Sequence, residues 1–388
     1  MKFKNITSPD DQRVTFVELF FDLVFVFSVT QVVSLLHHGL DWTVVGQAIL
    51  VFWLVWWAWT QFTWALNAAD TTNQLVEIGV LIATAVAFFM AVTLPDSFHG
   101  SSFLFAIFYV LVRTIGLTLY AIAASENPQL RAAVRNFTIL STGGLVAVLL
   151  GGYLGGTLQY WLWGLAILLD IVAATVGGQA EGWNLHPEHF SERHGLFVII
   201  ALGETLIVAA SQVIGAQWTG ILLLVAILAV MITCGMWWTY YPQAKPAVDQ
   251  GLEAASGSRL TKMARDVFSL IHFPMLCGII AYAVAIEEGL AHPDEALSLE
   301  ARLALAVGLI LFIGGMAVAV WRATRLLLLP RIILTLVMGL AIVAVTGVSP
   351  LLSLAIAVIG ILIIAVIEHW VGFPSDEAQA AVGVPVEG

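Results

Sequence analysis

The sequence predicts an all-α, polytopic integral membrane protein of about twelve transmembrane helices, and three observations predict it. Composition comes first: 60% of the 388 residues are hydrophobic and 11% are charged, whereas soluble domains carry ~25% charged residues. Second, apolar runs of about twenty residues recur along nearly the whole chain, each long enough to cross a hydrocarbon core of ~30 Å at 1.5 Å per residue. Third, lysine and arginine gather at alternate ends of those runs, the asymmetry that membrane insertion imposes on cytoplasmic flanks.

The first run, 14–38, follows the polar start "MKFKNITSPDDQR" and carries acids without a small-residue cleavage site. It is therefore expected to stay as a helix and not to leave as a signal peptide. Runs 44–68 and 74–95 follow, the former starting near Trp42 and ending near Trp64. Run 101–124 holds Arg113, run 129–153 is flanked at its start by Arg131 and Arg135, and 158–178 begins beside Trp161. Run 193–214 opens on Arg193, and 217–240 starts at Trp218 and closes on Trp237 and Trp238. The stretch "YPQAKPAVDQGLEAASGSRLTK" is read as a loop leading to run 264–288, then to 302–321, 328–347 and 350–370, with Arg322, Arg325 and Arg331 between the tenth and eleventh. With twelve spans, nearly all basic flanks fall on one side, leaving Arg302 on the other. Both termini are expected in the cytoplasm, and the tryptophans near both sets of ends form the aromatic belts that this topology requires. Cys234 and Cys277 lie within spans and read as small apolar residues.

A weak internal repeat is visible. One interval carries Trp56-Trp57 onto Trp237-Trp238 and Thr30-Gln31-Val32 onto Ser211-Gln212-Val213, and a slightly larger one carries "RNFTILSTG" from Arg135 onto "RIILTLVMG" from Arg331. Duplication of a six-helix unit gives a parallel 6+6 architecture, because an even number of spans leaves both halves in one orientation. The expected organisation is a first half over 1–178, a cytoplasmic hinge over 179–192, a second half over 193–371 and an acidic, disordered tail over 372–388. Coincidence within an apolar alphabet is the competing reading.

Charged side chains inside the spans carry the functional signal, since each costs at least ~2.5–3.5 kcal/mol at mid-bilayer. Helical rise places Arg113, Asp170 and Glu204 near one depth, where they could meet. Arg113 shares a face with Tyr109 and Tyr120, so that face should point into the bundle. Glu18 and Asp22, four residues apart, lie about 6 and 12 Å into the first span on one face. One arginine does not neutralise four carboxylates, so at least one should hold a proton or a cation. A basic partner such as Arg193 is one resolution for Glu18 and Asp22; a buried salt bridge that fixes packing is the bland reading of Arg113 with Asp170.

A second constellation, "LHPEHFSERHGLF", supplies His186, Glu188, His189, Glu192, Arg193 and His194 within nine residues. His186 and His189 at short spacing could ligate a metal; the alternative is a hydrated helix entrance with Ser191 or a neighbour as cap. His272 before Pro274 reads as a satisfied histidine at a helix kink, and Asp266 as an interfacial acid. The pairs Gly151-Gly152 and Gly155-Gly156 read as close helix contacts. No phosphate loop, nucleophile elbow or dinucleotide fingerprint is present.

The stretches "VELFFDLVFVFSVTQ" and "ERHGLFVIIALGETL" resemble the signature segments of the bacterial low-temperature-requirement A family of multi-pass membrane proteins. The residues that carry the resemblance are Glu18 to Asp22 in the first, and Glu192, Arg193, His194, Gly203 and Glu204 in the second. It implies a bacterial inner-membrane protein and leaves activity open. The expected function is a proton- or cation-coupled transporter of a small solute, with Glu18, Asp22, Arg113, Asp170, Glu204, Glu192, Arg193 and His194 as binding residues and no required cofactor. Two alternatives stay open: a membrane enzyme acting on lipid or isoprenoid through the His186 to His194 segment, and a sensory or scaffolding protein without turnover. The expected partner is the lipid bilayer, with no nucleic acid.

Overall fold

The computed structural model describes residues 6–9, 12–36, 41–177, 185–347 and 349–371. The chain is all-helical across them apart from one isolated β-bridge between Thr7 and Ala69. Among the described residues eleven helices are long and apolar enough to cross a membrane. They are α1 (Phe16–Leu36), α2 (Trp42–Asn67), α3 (Gln74–Thr93), α4 (Ser102–Glu126), α5 (Pro128–Leu154), α6 (Gly156–Gly177), α7 (Pro187–Val213), α8 (Gly220–Glu253), α9 (Gly257–Ala291), α10 (Leu299–Thr324) and α12 (Pro350–Val371), with the shorter α11 (Leu329–Ala344) before the last. Large apolar side chains such as Phe20, Phe89, Leu150 and Leu340 stand exposed on these helices, so their outer faces meet lipid.

Local chemistry sets the helix starts. Asp41, Asn73, Asn127 and Thr219 each accept a backbone N–H of the first turn of α2, α3, α5 and α8. Pro128 and Pro187 sit at the first position of α5 and α7, where a proline has no N–H to lose. That proline moves the start of α7 six residues ahead of the expected 193, and the segment read as a hydrated entrance becomes helix. Three further departures have physical causes. The expected loop after α8 is helical to Glu253: Pro242 falls in a π-helical segment, Thr239–Ala244, and the turns beyond bury Ala247, Val248, Gly251 and Leu252 on one face. Helix α9 starts at Gly257, seven residues early, and carries its own π segment at Arg265–Ile271. The expected eleventh span shrinks to the 16 residues of α11, because Val345 turns extended before Gly347 at φ 70 and the chain reaches Pro350.

The chain forms two compact units, Met1–Phe197 with Ala255–Arg265, and Val198–Ala254 with Asp266–Gly388. In the first, α5 lies along α6 and α4, and α1 packs on α3. A Cβ on Gly152 would come within 2.7 Å of Ser102 O and Ala106 Cβ, and one on Gly151 within 2.7 Å of Trp163, so these two glycines do let helices approach. Gly155 and Gly156 do not: at φ 65 and 57, with open space where a Cβ would stand, they make the turn between α5 and α6. In the second unit, Gly278 and Gly308 bring α9 and α10 into backbone contact, and α8 packs on α12. There Tyr240 of the first π segment donates its hydroxyl to His272 Nε2 at 2.9 Å, while His272 Nδ1 donates to Val267 O at 2.9 Å. Arg322 bonds Asp266 at 2.8 Å.

Candidate functional site

Helix α1 presents Glu18 and Asp22, and α7 presents His189 and Arg193, each pair at i,i+4 and all four side chains fully buried. Two residues four apart share a helix face, and the two faces meet. Glu18 is held by the residue ahead of the helix: Thr15 donates its backbone N–H and hydroxyl to Glu18 Oε2 at 3.0 and 2.9 Å, holding the first turn closed.

Arg193 binds both acids. Its Nη2 donates to Asp22 Oδ1, and its Nη1 lies 3.4 Å from Glu18 Oε1. Trp59 of α2 donates its indole N–H to the same Asp22 Oδ1 at 2.7 Å while its ring lies 5.6 Å from the guanidinium centre, combining a hydrogen bond with a cation–π contact. His189 Nε2 lies 3.1 Å from Glu18 Oε1 and 3.4 Å from Oε2. On its other side, Asn67 Nδ2 meets His189 Nδ1 at 3.1 Å. Asn67 also clamps the start of α7, accepting the His186 N–H at 2.9 Å and donating to the His186 carbonyl at 3.0 Å. Ser8 Oγ closes the outer end at 2.6 Å from His186 Nε2. Two carboxylates and one guanidinium leave one negative charge over. In a dry site that excess calls for a proton or a small cation.

A second buried pair joins α4 to α6. Arg113 Nη1 and Nη2 meet the two oxygens of Asp170 at 3.1 and 3.0 Å in a bidentate fork. Tyr109 OH accepts from Nη1 at 2.6 Å, and Gln61 of α2 accepts from Nε. The expected meeting of Arg113 and Asp170 is present, and every guanidinium nitrogen is engaged. Glu204 is half-buried and falls in the second unit.

His194 is buried beside the cluster, its Nδ1 donating to Phe190 O at 2.8 Å and its ring edge-on to Trp59 at 4.9 Å. Glu192 is exposed. His189 spends both ring nitrogens on Asn67 and Glu18, and His186 is bonded to Ser8. Among the described residues no group of three or more His, Cys, Asp or Glu could hold a metal ion. Thr15, Trp59, Gln61 and Asn67 escaped the sequence reading. Thr15 carried a usable signal, the Thr-x-x-Glu spacing of a capping box; the others are polar groups in an apolar helix whose partners arrive from far along the chain.

No solved structure matches the chain. An uncharacterized protein of Rhizobium meliloti (strain 1021) is 29% identical over 334 residues, covering 79% of this chain and 77% of the relative. The family model described as bacterial low temperature requirement A protein matches residues 13–367, taking in both helix faces that build the cluster. The chain belongs to the bacterial low temperature requirement A family.

Proposed function

We propose that the protein is a proton-coupled transporter of a small solute in the bacterial inner membrane, and that the cluster of Glu18, Asp22, His189 and Arg193 is its proton site. The observation that supports this reading is the charge count: two fully buried carboxylates share one buried guanidinium. A scaffold gains nothing from that surplus, whereas a carrier needs a group whose proton occupancy changes with conformation. The bidentate pair of Arg113 and Asp170 is a second station: parting it would free a guanidinium for an anionic or zwitterionic solute. Glu192, His194 and Glu204 complete the polar residues assigned to the path. Twelve spans, with both termini cytoplasmic and two parallel halves of six, fit this reading as its architecture.

Proteoliposomes enclosing a pH-sensitive dye test it. Wild type should acidify or alkalinise its lumen when a transported solute from a broad panel is added, and Glu18→Gln should abolish the response while still reconstituting. Background flux from wild type across the whole panel would sink the proposal.

A further inference from the structure

The atoms around the cluster identify where the proton sits. Glu18 Oε2 receives two donors from Thr15, and Glu18 Oε1 stands within 3.4 Å of both His189 Nε2 and Arg193 Nη1. Asp22 Oδ1 receives Arg193 and Trp59. A proton on Glu18 Oε2 or Asp22 Oδ1 would face donors already aimed at it, and one on Glu18 Oε1 would lie against the nitrogens of its ion pairs. Glu18 Oε1 and Asp22 Oδ2 are both buried without a hydrogen bond among the described residues. Glu18 Oε1, however, stands in ion-pair contact with His189 and Arg193, whereas the ion-pair contact of Asp22 falls on Oδ1 and leaves Oδ2 for the proton. The charged groups acting on Asp22 are Arg193 from α7 and Glu18 from its own helix, with His189 reaching it through Glu18.

His189 is kept out of competition by Asn67. The amide orientation of Asn67 is fixed independently of the histidine, because its oxygen accepts the His186 N–H and its nitrogen donates to the His186 carbonyl. The same nitrogen then faces His189 Nδ1 as a donor, so Nδ1 must accept and the ring hydrogen must be on Nε2, pointing at Glu18. A second ring proton would collide with the Asn67 amide unless the clamp on the first turn of α7 opened.

We infer that the exchangeable proton of the cluster is carried by Asp22 on Oδ2, and that Asn67 is the positioning residue that holds His189 as a fixed Nε2–H donor to Glu18. Proton entry converts the Asp22 carboxylate to the acid with no other bond changed. This leaves Glu18 as the ionised partner of Arg193. The inference rests on the proton-coupled reading for its purpose, but its test uses no solute and no flux, so the two can fail separately.

Infrared spectra of the full chain in lipid nanodiscs at neutral pH test the carboxyl. The C=O stretch of a buried carboxylic acid should move when aspartate carries 13C in its carboxyl group and stay when glutamate does. Trp59→Phe should shift the same band, since Trp59 bonds Asp22, and Asp22→Asn should remove it. A band that follows the glutamate label, ignores Trp59→Phe or is missing from wild type overturns the assignment. The histidine is read by 15N solid-state NMR with carbonyl-labelled glutamate, which precedes only His189 and His369 among the nine histidines; His369→Gln removes the second. Wild type should give the Nε2–H tautomer alone, and Asn67→Ala both tautomers. A wild-type Nδ1–H signal, or a tautomer indifferent to Asn67, defeats the positioning role.

Discussion

Trp59 and Asp22 are joined by an indole N–H to carboxylate hydrogen bond of 2.7 Å, made 37 residues apart in sequence and buried on both sides. The tryptophan thereby ties α2 to the acid that α1 carries into the membrane, while its ring supports the arginine bonded to that acid. Trp59→Phe keeps a ring for Arg193 and deletes the donor. Removing one partner of a buried hydrogen bond costs about 1–3 kcal/mol, and thermal unfolding of the purified protein in detergent should fall accordingly. Trp59→Leu, which loses the ring as well, should fall further.

The pair of Arg113 and Asp170 gives a different signature. Arg113→Met alone strands a buried carboxylate and should cost about 3–5 kcal/mol, whereas adding Asp170→Leu should return most of that loss, because a buried ion pair and a packed apolar pair are of similar worth. A double variant no more stable than the single one would mean that the helices need the ions themselves.

At Gly152 the space for a side chain is already taken by Ser102 O and Ala106 Cβ, both 2.7 Å from where a Cβ would stand. Gly152→Val should push α4 from α5 and cost about 1–3 kcal/mol as overpacking. Gly164→Val, where nothing lies within 4 Å, should cost little beyond helix propensity. Yield of monodisperse protein by size-exclusion chromatography compares the two directly.

Asp41 supplies a pH dependence outside the spans. The backbone N–H groups of Val44 and Thr43 hold its carboxyl below the ordinary value of 3.8. A depressed folded-state value means that the cap is present in full above the unfolded value and is lost as pH falls through the folded one. Amide exchange at Thr43 and Val44 should therefore be faster in Asp41→Ala than in wild type at neutral pH, with the gap closing in strong acid. A gap that widened on acidification would refute the cap as its source.

Apolar periodicity and length were enough to read the helical membrane class, and the span edges went wrong where backbone chemistry, not hydropathy, sets them. Pro187 starts a helix inside a polar segment, Pro242 is absorbed by a π turn, and the chain near Gly347 and Pro350 stops α11 although the apolar run continues. Within the site, i,i+4 spacing announced Glu18 with Asp22, and mid-span depth announced Arg113 with Asp170. Arg193 was read both as a basic flank and as a partner for Glu18 and Asp22, and the pairing is present; its full burial was not legible, since that depends on α7 starting early enough to carry it inside. Trp59 and Asn67 left no local trace because hydrogen bonding to residues 37 and 122 positions away, as Trp59 does with Asp22 and Asn67 with His189, has no periodicity to read.

The bonds from Thr15 to Glu18 have a consequence for biogenesis. Arg193 and His189 follow the acids they serve by 171 residues. At ~5–20 residues per second of synthesis, α1 emerges from the ribosome about ten seconds or more before its countercharge exists. During that interval Thr15 is a hydrogen-bond donor that Glu18 can recruit from its own turn, so the first helix carries its own provisional solvation to the membrane. Arrival of α7 then adds a completed charge network to those local bonds, and the late helix decides when the earliest one is finished.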